Sequence, residues 1–200
     1  MSGLRLLAAA ATPALRRAVF GGDDDLDEGG LRAALALSEP TPAGDALSGA
    51  TARDLGGRSD AWLCAPSQAA LQTARALGHD DPVVEVSLAD PDYGRWAGLG
   101  LGDVAGTEPD GLQAWLTDPA AAPHGGESLA AVRQRVGGWL DRQAEQRAVA
   151  VAHPVIVRAA LAHALDLPDQ AVWRLDVAPL SLTRLTHRAN RWHLSFPPTA

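Results

Sequence analysis

One histidine of this chain stands at a position that favours anion binding or proton transfer. His153 lies in the segment Ala152-His153-Pro154, between an apolar run that predicts a strand over 148–152 and a pattern that predicts a helix over 154–165. A helix N-terminus stabilises anions and lowers the pKa of a nearby imidazole. We therefore weigh two roles for His153: a ligand-contacting or acid–base group, and a hydrogen-bonded histidine retained for packing.

The other ionisable residues do not predict a metal site. Four further histidines share no spacing with acidic residues or cysteine: His79, His163, His187 and His193. Zinc sites need such clustered ligands. The acidic run 23–28 precedes a predicted helix, and we interpret it as favourable N-terminal charge on a solvated surface rather than as a metal site. We expect no metal and no cofactor.

Predicted strands and helices alternate along the chain, which favours an α/β fold whose sheet is covered by helices. The predicted strands are 5–10, 62–64, 83–86 and 148–152, followed by two closing antiparallel strands at 180–185 and 191–195. The predicted helices are 31–37, 69–77, 128–143 and 154–165, with a helical piece near 112–116. A connection rich in Pro, Gly and Ser, 38–49, is too short to separate domains. We expect one domain over 1–200.

Composition limits the partners and the compartment. The chain has 200 residues, of which 46% are hydrophobic and 20% charged, with a net charge of −7, and this charge disfavours nucleic acid or an anionic membrane as partner. No apolar run approaches the length of a membrane span. The first predicted strand follows the chain start directly, and the single cysteine, Cys64, suits a buried strand in a reducing compartment, so we expect a cytoplasmic protein. We expect a small-molecule ligand as partner, and the sequence leaves open whether the chain forms a homodimer.

Five short segments give the chain a recognisable order of motifs. They are the strand and loop 4–12, Pro66-Ser67-Gln68 with the helix that follows, 90–99, Gly125-Gly126-Glu127-Ser128, and 151–158. Their order and spacing resemble the histidine phosphatase superfamily, also called phosphoglycerate mutase-like, over roughly residues 4–185. The resemblance implies a mainly parallel, doubly wound sheet with helices on both faces. It also implies that 97–126 is an insertion that roofs the cleft and sets substrate choice.

The resemblance places alanine where the family has its phosphate-handling residues. The family's first strand ends in Arg-His-Gly, whose histidine accepts the phosphoryl group, and these positions are Ala8, Ala9 and Ala10 here. The family's second phosphate-binding arginine corresponds to Ala69, and the neighbouring 72–74 matches the family pattern. Arginine suits that task because its planar donors bind phosphate oxygens in pairs. We interpret three losses at two separated motifs as natural divergence rather than an engineered knockout.

Other family positions retain ionisable groups. The resemblance assigns the proton donor to Asp90, where the family usually has Glu, and the second active-site histidine to His153; Asp90 is alternatively a turn residue before Pro91. Glu127 and Ser128 match the Gly-Glu-Ser that lies at the cleft rim of the family.

Three side chains outside these positions could change the character of the cleft. His124 is additional to the family pattern; it either enters the cleft as a second imidazole or is a solvated loop residue. Arg16 follows the first loop and could supply part of the lost positive charge, although a surface role is equally compatible. Of the tryptophans, Trp96 and Trp115 flank the roof, and one of them could line the cleft for an apolar ligand.

These residues lead to three functional hypotheses. The loss of two bidentate partners costs a bound phosphate several kcal/mol, at roughly 1.5–3 kcal/mol per charged hydrogen bond, and alanine offers no nucleophile. The first hypothesis is an enzyme that uses His153 and Asp90 on a small non-phosphorylated or weakly anionic ligand. The second is a non-catalytic binding or regulatory protein. The third is a residual phosphatase, of the phosphoglycerate mutase or α-ribazole phosphatase type, with a relocated group such as His124.

Overall fold

A computed structural model describes residues 3–39, 55 and 60–195 of the chain. Most of the predicted connection, 40–49, lies outside the described residues. The strands are β1 (Gly3–Ala8), β2 (Ala61–Cys64), β3 (Val83–Val84), β4 (Arg147–Ala152), β5 (Leu182–Arg188) and β6 (Arg191–Ser195). The α-helices are α1 (Pro13–Arg16), α2 (Glu28–Ser38), α3 (Gln68–Ala76), α4 (Leu101–Thr107), α5 (Pro109–Thr117), α6 (Leu129–Arg142) and α7 (Pro154–Ala164).

The strands form one mixed sheet in the order β3-β2-β4-β1-β5-β6. β1, β2, β3 and β4 run parallel, whereas β5 pairs antiparallel with β1 and with β6. Helix α3 packs against β2 and β4, and α7 packs against β1 and β6. This is the mainly parallel α/β fold predicted from the sequence. None of the helices within the described ranges is long and apolar enough to cross a membrane.

The core is built around β4, the central parallel strand. Every residue from Ala148 to Ala152 is buried, as expected of a strand that is covered on both faces. The largest fully buried side chains of this core include Trp139 and Leu140 of α6 and Ile156 of α7. A second, smaller cluster is aromatic and lies under the roof; its buried members are Phe20, Tyr93, Trp96, Val104 and Trp115.

Two predicted strands end earlier than the sequence pattern suggested. The prediction of a strand over 83–86 was wrong beyond Val84, because 86–88 turns into a 3₁₀ helix that is capped by the side chain of Glu85. β1 ends at Ala8 rather than at Ala10. The peptide nitrogen of Ala9 still donates to the carbonyl oxygen of Ala152 at 2.8 Å, and the chain then leaves the sheet. The small apolar residues at 9 and 10 therefore belong to the loop that borders the cleft.

A threonine holds this loop against α3. The buried hydroxyl of Thr73 accepts a hydrogen bond from the peptide nitrogen of Ala10 at 3.0 Å and donates to the carbonyl oxygen of Ala69 at 2.6 Å. A buried peptide N–H needs such a partner, because no water can replace it. Thr73 thus connects the two places in the fold that carry the alanines of interest.

We expect Thr73→Val to destabilise the protein by about 1–3 kcal/mol, because the isosteric side chain leaves the buried N–H of Ala10 without a partner. The matched control is Thr117→Val in α5, whose exposed hydroxyl likewise donates to the carbonyl four residues earlier, at 2.8 Å. That variant should change stability by less than about 0.5 kcal/mol. Urea unfolding measures both. Equal losses in the two variants would contradict the role of Thr73.

Candidate functional site

A cleft of about 280 Å³ opens at the carboxyl ends of the parallel strands, beneath the roof. This is the usual ligand crevice of an open α/β sheet. Its polar lining residues are Thr12, Ser67, Asp90, Tyr93 and His153. Its apolar lining residues and glycines are Ala14, Leu15, Ala18, Val19, Phe20, Gly21, Gly22, Ala69, Leu101, Trp115, Leu116 and Trp173. Within the described part of the chain, no arginine lines this cleft.

The three alanines that the sequence analysis aligned with the family's phosphate-handling residues differ in their access to the cleft. Ala8 and Ala9 are 0% and 2% exposed, belong to the main core and are absent from the cleft lining. Ala69, in the first turn of α3, is buried in the same core at 9% exposed, but it also lines the cleft. The hydrogen bond from the peptide nitrogen of Ala9 to the carbonyl oxygen of Ala152 places Ala9 beside the residue that precedes His153. The fold therefore brings these positions together, with the first two packed behind the cleft wall.

His153 is both a helix cap and a lining residue of the cleft. Its backbone is extended at the N-cap of α7, and its Nδ1 accepts a hydrogen bond from the peptide nitrogen of Val155 at 3.3 Å. With Nδ1 acting as the acceptor, the proton of the neutral ring belongs on Nε2. Burial lowers the pKa of His153, while the charge of Asp90 acts in the opposite direction and that of Arg158 lowers it further. The ring is thus kept neutral near pH 7.

Asp90 lines the same cleft and carries an oxygen that lacks a partner. Its Oδ1 is buried without a hydrogen bond to any described residue. Burial raises the pKa of Asp90; His153 lowers it, Asp23 raises it and Arg135 lowers it. An unpaired buried carboxylate is costly, and such groups gather at functional sites. Asp90 and His153 are therefore coupled within one cleft, in which each can exchange a proton with a ligand.

The segments 90–96 and 124–127 are joined through their backbones. The peptide nitrogen of Glu127 donates to the carbonyl oxygen of Asp92 at 2.7 Å, and that of Arg95 donates to the carbonyl oxygen of His124 at 3.0 Å. A Cβ on Gly126 would lie 2.1 Å from the carbonyl oxygen of Asp92, so only glycine permits this approach. The turn that carries Asp90 is consequently fixed by the loop that the sequence placed at the rim.

His124 is neither a solvated loop residue nor a lining residue of the cleft. The prediction of a solvated loop residue was wrong, because His124 is 2% exposed, and it is not among the residues that line the cleft. Its Nδ1 accepts from the peptide nitrogen of Gly126 at 3.0 Å, and its ring lies edge-on against Trp96 with ring centres 5.0 Å apart. Burial lowers the pKa of His124. It packs behind the aromatic cluster.

Glu127 and Ser128 have structural partners. The carboxylate of Glu127 forms a bidentate pair with the guanidinium of Arg135, at 2.9 and 2.7 Å. The hydroxyl of Ser128 is the N-cap of α6 and accepts from the peptide nitrogen of Ala131 at 3.2 Å. Neither residue lines the cleft. Both serve to anchor α6 beside the turn of Asp90.

Arg16 is directed toward the acidic loop. Its guanidinium pairs with the carboxylate of Asp27, which is the N-cap of α2 and also accepts from the peptide nitrogen of Gly30 at 2.7 Å. The hydrogen bond from Arg16 is the main cause that lowers the pKa of Asp27 to about 2. Arg16 is absent from the cleft lining. The acidic loop therefore caps helices, as its position in the sequence indicated for α2. Among the described residues, no group of three or more potential metal ligands occurs.

Sequence reasoning missed much of the aromatic wall. Phe20, Tyr93 and Trp173 line the cleft together with Trp115, the roof tryptophan that the sequence analysis considered; Trp96 is fully buried behind them. The ring centres of Trp115 and Trp173 lie 4.6 Å apart. Trp173 belongs to a 3₁₀ helix at 169–174, 58 residues after Trp115 in the sequence. No local pattern distinguishes such a residue from an ordinary core aromatic.

Comparison with known proteins identifies the family. A sequence model of the histidine phosphatase superfamily (branch 1) matches residues 13–197. The chain belongs to this superfamily. A mycobacterial glucosyl-3-phosphoglycerate phosphatase, solved with VO₃, has 26% sequence identity, a TM-score of 0.78 and coverage of 98% of each chain. A phosphoserine phosphatase from Entamoeba histolytica shares the fold, with a TM-score of 0.79 at 19% identity over 100% of this chain and 98% of that one.

The curated relatives are longer proteins. A bifunctional protein of Mycobacterium tuberculosis is 34% identical over 119 residues, which is 56% of this chain and 32% of that protein. Phosphoserine phosphatase 1 of Hydrogenobacter thermophilus is 30% identical over 118 residues, covering 56% of this chain and 54% of that protein. The chain thus spans about a third to a half of the length of the curated relatives it matches.

The coupling between His153 and Asp90 predicts a titration. We expect the pKa of His153, followed by NMR, to lie below the usual value of about 6.5, because burial disfavours the charged ring. Asp90→Asn should lower it further, since the charge of Asp90 is the influence that raises it. Asp92→Asn is the matched control and should leave the titration of His153 unchanged. An unchanged or raised pKa in Asp90→Asn would refute the coupling.

The burial of positions 8 and 9 predicts the result of restoring the family residues. The combined variant Ala8→Arg, Ala9→His and Ala69→Arg should lose about 1–3 kcal/mol of stability for each of positions 8 and 9, because these buried side chains do not border the cleft and a larger group must displace core neighbours. Ala69→Arg alone is the control and should cost less, since Ala69 faces the cleft. Denaturant unfolding measures both. A triple variant of unchanged stability that hydrolyses phosphomonoesters would indicate a vacated but otherwise intact site.

Proposed function

We propose that this member of the histidine phosphatase superfamily no longer processes phosphomonoesters. Instead of a phosphomonoester, the cleft binds a small non-phosphorylated or weakly anionic ligand, and His153 and Asp90 transfer protons to and from it. The observation that carries the proposal is the lining itself: among the described residues it includes no arginine and one histidine, and alanine stands at 8, 9 and 69.

The lining supports a change of ligand because a phosphate is poorly matched to it. A phosphoryl dianion in a site of low water content needs fixed cations or several donors. The acidic and basic side chains that line this cleft are Asp90 and His153, and burial lowers the pKa of His153, so the lining supplies no fixed cation. A carboxylate beside the phosphate position would add repulsion. Ground-state binding of a phosphomonoester is therefore unfavourable before any chemistry begins.

The remaining pair can perform acid–base chemistry on another ligand. The Nε2–H of neutral His153 can donate to an oxygen of the ligand, and Asp90 can exchange a proton because burial brings its pKa toward neutrality. Proton abstraction followed by reprotonation needs no nucleophile and no cofactor. This makes an acid–base reaction compatible with the residues that the cleft retains.

A non-catalytic binding protein is the second candidate. It is favoured by the fact that His153 already has a structural task as the N-cap of α7. The third hypothesis, a phosphatase that uses His124, has less support, because that ring is buried outside the cleft lining and one of its nitrogens is engaged by Gly126. The variant His153→Asn separates the two candidates, because asparagine can still cap α7 but cannot transfer a proton as histidine does. An enzyme would lose turnover of its ligand in this variant, whereas a binding protein shows no turnover to lose.

The decisive experiment for the proposal is a phosphatase assay. The wild-type chain should hydrolyse para-nitrophenyl phosphate at the uncatalysed rate, because it offers neither a nucleophile nor arginine anchors in the cleft. An active superfamily phosphatase, assayed in the same buffer, provides the positive control. Robust turnover that disappears in His153→Ala or His124→Ala would overturn the proposal and would identify a relocated catalytic group.

A further inference from the structure

The cleft has walls suited to an apolar or cationic group. Four of its lining residues, Phe20, Tyr93, Trp115 and Trp173, are aromatic. Neighbouring rings are tilted by 58° between Phe20 and Tyr93, 79° between Phe20 and Trp115, and 57° between Trp115 and Trp173, so they do not form one flat stack. Aromatic faces attract cations through their quadrupoles. They offer nothing comparable to an anion.

The cleft lining offers the carboxylate acceptor of Asp90 and the hydroxyl of Ser67, together with N–H donors at His153 Nε2 and Trp173 Nε1. Asp90 Oδ1 and Ser67 Oγ are both buried, and neither has a hydrogen-bond partner among the described residues. Both residues line the cleft and also its shallower, more open extension, where Asp23 and Asp92 join them. The unpartnered carboxylate oxygen of Asp90 favours a ligand that brings an N–H donor, and the Ser67 hydroxyl can accept a second hydrogen bond from it.

The nearby guanidinium groups do not neutralise this cleft from within. Arg135 is already paired with Glu127 and donates to the carbonyl oxygens of Ser87 and Ala89, at 2.9 and 3.1 Å. Arg158 influences His153 electrostatically but is not a lining residue. The carboxylates Asp23, Asp90 and Asp92 are therefore the charged side chains at the surface that a ligand meets, alongside the imidazole of His153.

We infer that the ligand of this cleft is a protonated organic amine with an apolar body. Its ammonium group donates to Asp90 Oδ1 and Ser67 Oγ, and its apolar body lies against the aromatic wall of Phe20, Tyr93, Trp115 and Trp173. This inference rests on the proposed function and narrows its ligand class. The replacement of arginine and histidine by alanine at the phosphate positions thereby reverses the preferred charge of the ligand.

A series of three probes of similar size tests the charge preference on the wild-type protein. Benzylammonium, benzyl alcohol and benzoate present the same ring with a positive, neutral and negative head, and quenching of tryptophan fluorescence reports their binding beside Trp115 and Trp173. We expect benzylammonium to bind at least about 10-fold more tightly than either of the others, which corresponds to about 1.4 kcal/mol. Tighter binding of benzoate, or no binding of any probe up to its solubility limit, would overturn the inference.

Asp90→Asn tests which residue carries the preference. It should reduce the affinity for benzylammonium to that for benzyl alcohol, without affecting the latter. The matched control, Asp110→Asn in the exposed first turn of α5, changes the net charge by the same amount and should bind all three probes as the wild type does. Thermal unfolding and circular dichroism establish that both variants are folded. A preference that survives in Asp90→Asn would also overturn the inference.

The outcome for phosphate is measured separately, so that the two proposals can fail independently. If para-nitrophenyl phosphate is not hydrolysed and benzoate binds best, the amine inference fails while the loss of phosphatase function stands. If para-nitrophenyl phosphate is hydrolysed, the proposed function fails whatever the probes do. Background hydrolysis together with selective, Asp90-dependent binding of benzylammonium supports both.

Discussion

The bond between the peptide nitrogen of Ala9 and the carbonyl oxygen of Ala152 is the constraint on which the site depends. It extends the parallel pairing of β1 and β4 by one residue, so that the first loop and the turn of His153 leave the sheet side by side. Parallel strands are joined by long crossovers, and their carboxyl ends necessarily meet at one edge. Thr73 then ties the loop to α3, which brings Ala69 to the same edge. Residues about 60 and 140 positions apart thereby border one cleft.

This geometry has different consequences for the three alanines. At 8 and 9 the side chains point into close-packed core, where interiors tolerate little added volume. At 69 the side chain is also buried in this core, but it lines the cleft. A cleft that had merely lost its arginines would be an empty version of a phosphate site. In this protein the aromatic wall and the unpartnered oxygens of Asp90 and Ser67 give the space a chemical character of its own.

The residues around the cleft are held in place by backbone hydrogen bonds, an ion pair and a helix cap. The turn of Asp90 is held by Glu127 and by backbone contacts that only glycine permits at 126. Arg135, Glu127 and Ser128 are committed to this support. The scaffold of the superfamily is thus maintained by ion pairs and caps outside the cleft, which leaves the lining free to diverge without loss of the fold. That separation makes family membership compatible with the change of ligand that we propose.

The sequence by itself determined the alternation of strands and helices and the family, because these depend on local spacing and residue identity. His153 follows β4 directly, whereas Asp90 follows the 3₁₀ helix after β3, and both line the cleft at the carboxyl ends of the parallel strands. Only the tertiary structure decided that His124 is buried, that Arg16 pairs with Asp27, and that Trp173 joins the roof at the cleft. Each of these depends on which distant segment packs against a side chain, and an isolated histidine, arginine or tryptophan carries no local signal of its eventual neighbour.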